Sequence, residues 1–122
     1  MANIDVRLSI FEDNNFGGRR IRFTRGGVAI RNMNALRFDE ELSSFRLQNV
    51  VNRNLVTLVL FSRNNFQGSF RVFRGSQSVA NLGNFNNETE SLIVVGRILT
   101  NAQIDNIRST GVAPTNILEI RQ

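Results

Sequence analysis

One phrase occurs twice in this chain. Residues 11–18 read FEDNNFGG and residues 61–68 read FSRNNFQG. A shift of fifty residues lays Phe11 on Phe61, Asn14 on Asn64, Asn15 on Asn65, Phe16 on Phe66 and Gly18 on Gly68. Upstream, Val6, Leu8 and Ile10 fall on Val56, Leu58 and Leu60. A repeat of this length restricts the fold to architectures that use one structural unit twice.

The unit is extended. In residues 5–11, Val6, Leu8 and Ile10 alternate with Arg7 and Ser9, the period of two of a half-buried strand. Residues 12–18 predict a polar turn whose Gly17-Gly18 end needs backbone of positive φ. Strands follow at residues 19–24, with Ile21 and Phe23 opposite Arg20 and Arg22, and at residues 28–30. After a long loop, residues 44–50 form a fourth strand with Phe45 and Leu47 inward. The second unit places its strands at residues 55–61, 69–74, 76–80 and 91–95. Four short strands, twice, separated by Gly and Asn turns, predict an all-β antiparallel sandwich. One unit alone cannot bury its apolar face; two facing each other can. Phe16 and Phe66 are expected as core plugs. Ser44 and Ser91 are expected to hydrogen-bond a folded hairpin rather than to perform chemistry.

Residues 98–122 belong to neither copy. Thr100 and Gln103 have capping-box spacing, Leu99 and Ile104 sit where a hydrophobic staple lies, and Ile104 and Ile107 share one helical face. Gly111 suits the residue after a helix and Pro114 prevents its continuation. Residues 116–121, NILEIR, predict a last strand. Such an extension is expected to dock on its own domain or on a neighbour.

Composition excludes most catalysis. With no His, no Cys and no Lys there is no Ser-His or Cys-His nucleophile, no disulfide, no thiolate metal site and no Schiff base. A carboxylate pair for glycoside hydrolysis, Glu41 with Glu88, lacks sugar platforms because Trp and Tyr are absent. All fifteen basic residues are Arg, and the net charge is +5. Their spread along the chain favours a solvated surface over a nucleic-acid interface. No run is long and apolar enough to span a membrane. No secretory signal is visible at residues 1–13, so the expected location is cytoplasmic, or released or at a surface or spore coat by a non-classical route.

Phe, four residues, Phe, one residue, Gly, then a polar loop ending in Ser, all occurring twice, resembles the Greek-key motif of the microbial βγ-crystallin family. Phe11, Phe16 and Gly18, with Phe61, Phe66 and Gly68, carry its first part. Residues 39–44, DEELSS, and 86–91, NNETES, carry its second. The resemblance covers roughly residues 4–97. It implies an eight-stranded antiparallel Greek-key β-sandwich over residues 1–97, with residues 98–122 a helix-plus-strand docking or assembly element. It also implies two Ca²⁺ ions held between the loops at one end. Carried over by position, the ligands are Glu12, Glu41 and Ser43 in the first copy and Ser62, Glu88 and Glu90 in the second. Three departures stand out: both leading aromatics are Phe where the family prefers Tyr, Glu40 replaces Asn or Asp, and Glu90 replaces a ligating hydroxyl by a longer carboxylate. Asp39, Glu40 and Glu41 together are a locally acidic loop in a basic chain, which suits a hard cation seeking oxygen ligands.

The expected function is therefore a non-enzymatic, Ca²⁺-binding structural or stress-stability protein. One alternative is a self-assembling coat or fibre subunit whose tail docks on a neighbour, because related families build spore and cyst coats from this fold. A further alternative is an anion-binding module that uses the Arg surface to hold nucleic acid or an acidic glycan.

Overall fold

The computed structural model describes residues 6–25, 27–38, 41–114 and 117–120. The first copy supplies β1 (Val6–Asp13), β2 (Gly17–Arg25), β3 (Val28–Ile30) and β4 (Ser44–Asn49). The second supplies β5 (Thr57–Arg63), β6 (Gln67–Arg74), β7 (Gln77–Val79) and β8 (Ser91–Val95). Helix α1 (Asn101–Thr110) and β9 (Leu118–Ile120) follow.

The two copies exchange their third strands. One sheet runs β2-β1-β4-β7 and the other β6-β5-β8-β3-β9. Thus β7 of the second copy pairs with β4 of the first, and β3 of the first pairs with β8 of the second. This is the interlocked Greek-key sandwich expected from the doubled motif. The ninth strand joins the edge of its own chain's second sheet, parallel to β3. Of the expected 116–121 strand, Asn116 and Arg121 lie outside the described residues.

Alternation decides what faces inward. Val6, Leu8 and Ile10 of β1 meet Leu58 and Leu60 of β5, with Phe45, Leu47, Leu92, Val94, Val28 and Ile30, in one buried cluster between the sheets. Phe38 and Phe85, from the long loops, are buried in the same cluster. The expectation of a core plug holds for Phe66, in an outer cluster, and needs correcting for Phe16. Neither lies between the sheets, because each follows an outward-facing Phe and folds back over the sheet's outer surface. Phe16 is half-buried with its ring edge-on to Phe11 at 5.6 Å. Phe66 is fully buried, but in a second cluster on the far side of the second sheet.

That second cluster exists because the extension covers it. Val59, Phe61, Phe66, Ile93 and Val95 pack with Leu99, Ile104 and Ile107 of the extension. The helix starts as its capping box dictates: the Gln103 amide donates to Thr100 Oγ1 at 3.1 Å and the Thr100 amide to Gln103 Oε1 at 2.8 Å. It ends at Gly111, whose φ of +70° closes the last turn. Side chains of the sandwich then satisfy carbonyls of the extension. Gln67 donates to the Arg108 carbonyl at 2.7 Å, Arg31 to that of Gly111 at 2.6 Å, and Arg74 to that of Leu99 at 2.9 Å.

The outer faces of the two sheets therefore differ in kind. On β5, β6 and β8 the outward positions Val59, Phe61, Phe70, Val72, Ile93 and Val95 belong to the covered cluster. The repeat-equivalent positions on β1, β2 and β4 are Ser9, Phe11, Arg20, Arg22, Arg46 and Gln48.

Candidate functional site

Each copy folds its NNF segment into a tight turn that the motif's last serine holds. Asn15 and Phe16 have φ of 58° and 61°, and Asn65 and Phe66 have 59° and 62°. Two consecutive left-handed residues, one of them Phe, are costly. The offset comes from Ser44, whose Oγ accepts from the Phe16 amide at 3.0 Å and donates to the Asp13 carbonyl at 2.6 Å. Ser91 repeats this with the Phe66 amide at 3.0 Å and the Arg63 carbonyl at 2.6 Å. Both serines have the structural role expected of them. Backbone bonds anchor the turns across the interlock, from Asn15 to the Ala80 carbonyl at 2.8 Å and from Asn65 to that of Arg31 at 2.9 Å.

The left-handed glycine after each turn is Gly18 or Gly68, at φ +75° and +83°. Gly17, expected to share that role, is extended with φ −104°. A methyl group on Gly68 would collide with the Ser62 hydroxyl and lie 2.9 Å from Arg63 Cγ. Gly68→Ala is accordingly expected to cost roughly 1–3 kcal/mol from strain and displacement. Thermal melting checks it, and an unchanged midpoint would contradict this account of the turn.

At the loop end of the first copy the structure brings Glu12 and Glu41 together, with Arg19 between them. Arg19 Nε donates to Glu12 at 3.2 Å and its terminal nitrogen to Glu41 at 3.3 Å. The same guanidinium donates to the Leu36 carbonyl at 3.3 Å and to the Arg37 carbonyl, and lies 4.7 Å from the centre of the Phe38 ring. It ties the first hairpin to the long loop at four oxygens. Glu12 is held below its ordinary carboxylate value, first because Glu41 hydrogen-bonds to it and then because Arg19 does. Glu41 is pushed above its ordinary value, first by Glu12 and then by partial loss of water.

Ser43 is buried beside these groups but turns to the second copy's loop, where its hydroxyl donates to Asn87 Oδ1 at 3.0 Å. The other three candidates are spread out in their roles. Ser62 Oγ accepts from the Ser69 amide at 2.8 Å, across its own hairpin. Glu88 is exposed. Glu90 contributes its backbone, its amide to the Phe61 carbonyl at 2.8 Å and its carbonyl to the Met33 amide at 2.7 Å. Asp39 and Glu40 lie outside the described residues. Among the described residues, no three of the Asp and Glu side chains gather as a metal-binding group. Of the residues expected at a first Ca²⁺ site, Glu12 and Glu41 meet the Arg19 guanidinium through their carboxylates, while the Ser43 hydroxyl bonds Asn87. In the second loop, Asn86 Oδ1 and Thr89 Oγ1 are buried with no hydrogen-bond partner among the described residues.

Residue-by-residue carry-over missed Arg19, although comparing the copies exposes it. Under the fifty-residue shift, Glu12 and Arg19 become Ser62 and Ser69. A cross-hairpin acid–base pair in one copy is a serine pair in the other.

No family model matches the sequence, and no curated protein sequence matches it. Solved structures do match. The N-terminal domain of Protein S aligns with a TM-score of 0.57 at 20% identity, over 77% of this chain and 99% of its own. A βγ-crystallin from Ciona intestinalis aligns with a TM-score of 0.56 at 20% identity, over 70% and 95%. The fold is that of the βγ-crystallins. A βγ-crystallin domain from Clostridium beijerinckii is similar to the same degree, with a TM-score of 0.57 at 18% identity over 73% and 97%. A double mutant of clostrillin with two introduced histidines is in complex with nickel. This βγ-crystallin-type chain has no histidine. Among the described residues, no helix is long and apolar enough to cross a membrane.

Proposed function

We propose that the chain is a non-enzymatic structural module, a βγ-crystallin-type sandwich whose first loop end is closed by Arg19 in place of Ca²⁺. The observation that carries this reading is the single guanidinium donating to two carboxylates and two loop carbonyls. A divalent cation ties loops by collecting oxygens; Arg19 collects them without any metal. Absence of His, Cys and Lys supports the non-enzymatic part. The tail's apolar face packs within the same chain, which favours a stable unit over a subunit awaiting its neighbour.

A second reading rests on the second loop. The orphaned Asn86 Oδ1 and Thr89 Oγ1 are two oxygens of the six to eight that Ca²⁺ takes. Thermal melting in millimolar Ca²⁺ against chelator separates the two. We expect the same midpoint in both buffers for the parent. Arg19→Ala is expected to lower the midpoint in chelator and to recover part of the loss with Ca²⁺, because it leaves Glu12 and Glu41 facing each other unneutralised. A parent midpoint that rises with Ca²⁺ through binding linkage would overturn the first reading and favour the second.

A further inference from the structure

Arginines scattered in the sequence meet on one face of the fold. Arg7 and Ser9 of β1, Arg20 and Arg22 of β2, and Arg46 and Gln48 of β4 line a groove of about 340 Å³ over the first sheet. The strand register makes this a lattice. Ser9 pairs with Arg22 on one side and Arg46 on the other, Arg7 pairs with Gln48, and Phe11 pairs with Arg20. Neighbouring strands lie about 4.8 Å apart, so Arg22 and Arg46 flank Ser9 at about 10 Å between backbones. Arg7, Arg20, Arg22 and Arg46 are all exposed, and no Asp or Glu lines the groove. Among the described residues, no carboxylate forms an ion pair with any of the four.

The second copy shows that this basicity is particular to one sheet. At the equivalent positions of the covered sheet stand Thr57, Val59, Phe61, Phe70, Val72, Ile93 and Val95. One face received an apolar surface and a helix to cover it. The other received four guanidinium groups and no cover. Arg46 is also held in place, with its guanidinium 4.2 Å from the centre of the Phe16 ring. Holding the donor in advance removes part of the entropy cost of binding.

We propose that this face binds a nucleic-acid strand by its phosphates. Arginine presents a planar fork that matches a phosphate bidentately, and the Arg20–Arg22 spacing of about 7 Å along β2 suits successive phosphates on an extended strand. The groove is concave and continues. A neighbouring groove of about 710 Å³ shares Arg46 and Gln48 and runs on to Arg53. A linear polyanion fills such a track, whereas a lipid surface is planar and meets only its rims. The one aromatic in the basic groove, Phe11, is buried, so bases find no stacking platform and recognition is of charge rather than sequence.

The test is fluorescence anisotropy of a labelled single-stranded DNA 20-mer with the full chain, titrated at several salt concentrations. With four contacts the log–log salt slope is expected near −3, since each phosphate neutralised on a single strand contributes about −0.7. The double variant Arg7→Ser/Arg22→Ser is expected to bind at least tenfold more weakly at low salt, with a slope shallower by about 1.4. Arg63→Ser, away from this face, is expected to bind as the parent does. Because Arg7 and Arg22 are exposed, the double variant is expected to melt at the parent's midpoint; Arg20→Ser alone repeats the test if it does not. No binding of the oligonucleotide at low salt overturns the proposal, whether or not heparin or 4:1 phosphatidylcholine–phosphatidylserine vesicles retain the chain. Binding that the face variants leave intact overturns it equally.

Discussion

A chain ended after Arg97 is expected to have no stable folded monomer. The extension removed contains Leu99, Ile104 and Ile107, which close the cluster on the second sheet. Their loss would expose Val59, Phe61, Phe66, Ile93 and Val95, all 0% exposed in the full chain. At about 1.5–3 kcal/mol for each large apolar side chain, five exposures amount to roughly 7–15 kcal/mol. That equals the whole stability of an ordinary domain, about 5–15 kcal/mol. The truncated chain also loses β9 from the edge of β3 and leaves an apolar sheet face open to association. Size-exclusion chromatography with thermal melting checks this. Aggregates or a chain without a cooperative transition are expected. A truncated monomer that melts like the parent would remove the covering role of the extension.

The largest effect expected from one side chain is that of Ser91. Its hydroxyl serves two backbone groups at once, the Phe66 amide in a buried bond and the Arg63 carbonyl. Ser91→Ala leaves both without that partner, at about 1–3 kcal/mol for each buried group. It also removes one of the bonds that hold Phe66 in the left-handed conformation. A loss of roughly 2–4 kcal/mol is expected, read as a lower urea midpoint at constant slope. Ser44→Ala removes the same pair of bonds in the first copy. There Phe16 is only half-buried and water can replace the hydroxyl, so the expected loss is smaller. Equal losses would mean that the turns are held by something the two copies share other than burial.

Much of the fold was legible because alternation and repetition are local signals. Val6, Leu8 and Ile10 announce an inward face whatever lies opposite, and the repeat supplies the partner. The serines closing each motif were legible for the same reason, as were the cap and end of α1. The outward positions carried less information. Phe11 and Phe61 look alike in sequence, yet one lies beside arginines and the other under a helix. Nothing within a copy tells which Phe acquires a cover; the clue is the run of Val59, Phe70, Val72, Ile93 and Val95 read beside Ser9, Arg20, Arg22, Arg46 and Gln48. The site was harder still. Position-by-position transfer names Glu12 and Glu41 as places for a cation, and both are beside one, but it belongs to Arg19, seventeen and eighteen residues from the loop carbonyls it holds. Charge partners distant in sequence are set by the fold, not by any local pattern of residues. The arginine face was hidden likewise, because alternate residues on three strands share no sequence neighbourhood.

The unequal dressing of two equivalent sheets, one sealed by the chain's own tail and one left basic, is what the arginine-face proposal and the reading of a self-contained unit stand on. Isotope-filtered nuclear Overhauser spectra between the methyl groups of Ile104 and Ile107 and the rings of Phe61 and Phe66 measure it directly, on an equal mixture of labelled and unlabelled chains. Cross-peaks within labelled chains, unchanged on dilution, are the predicted result; cross-peaks only between labelled and unlabelled chains, or none at all, would contradict it.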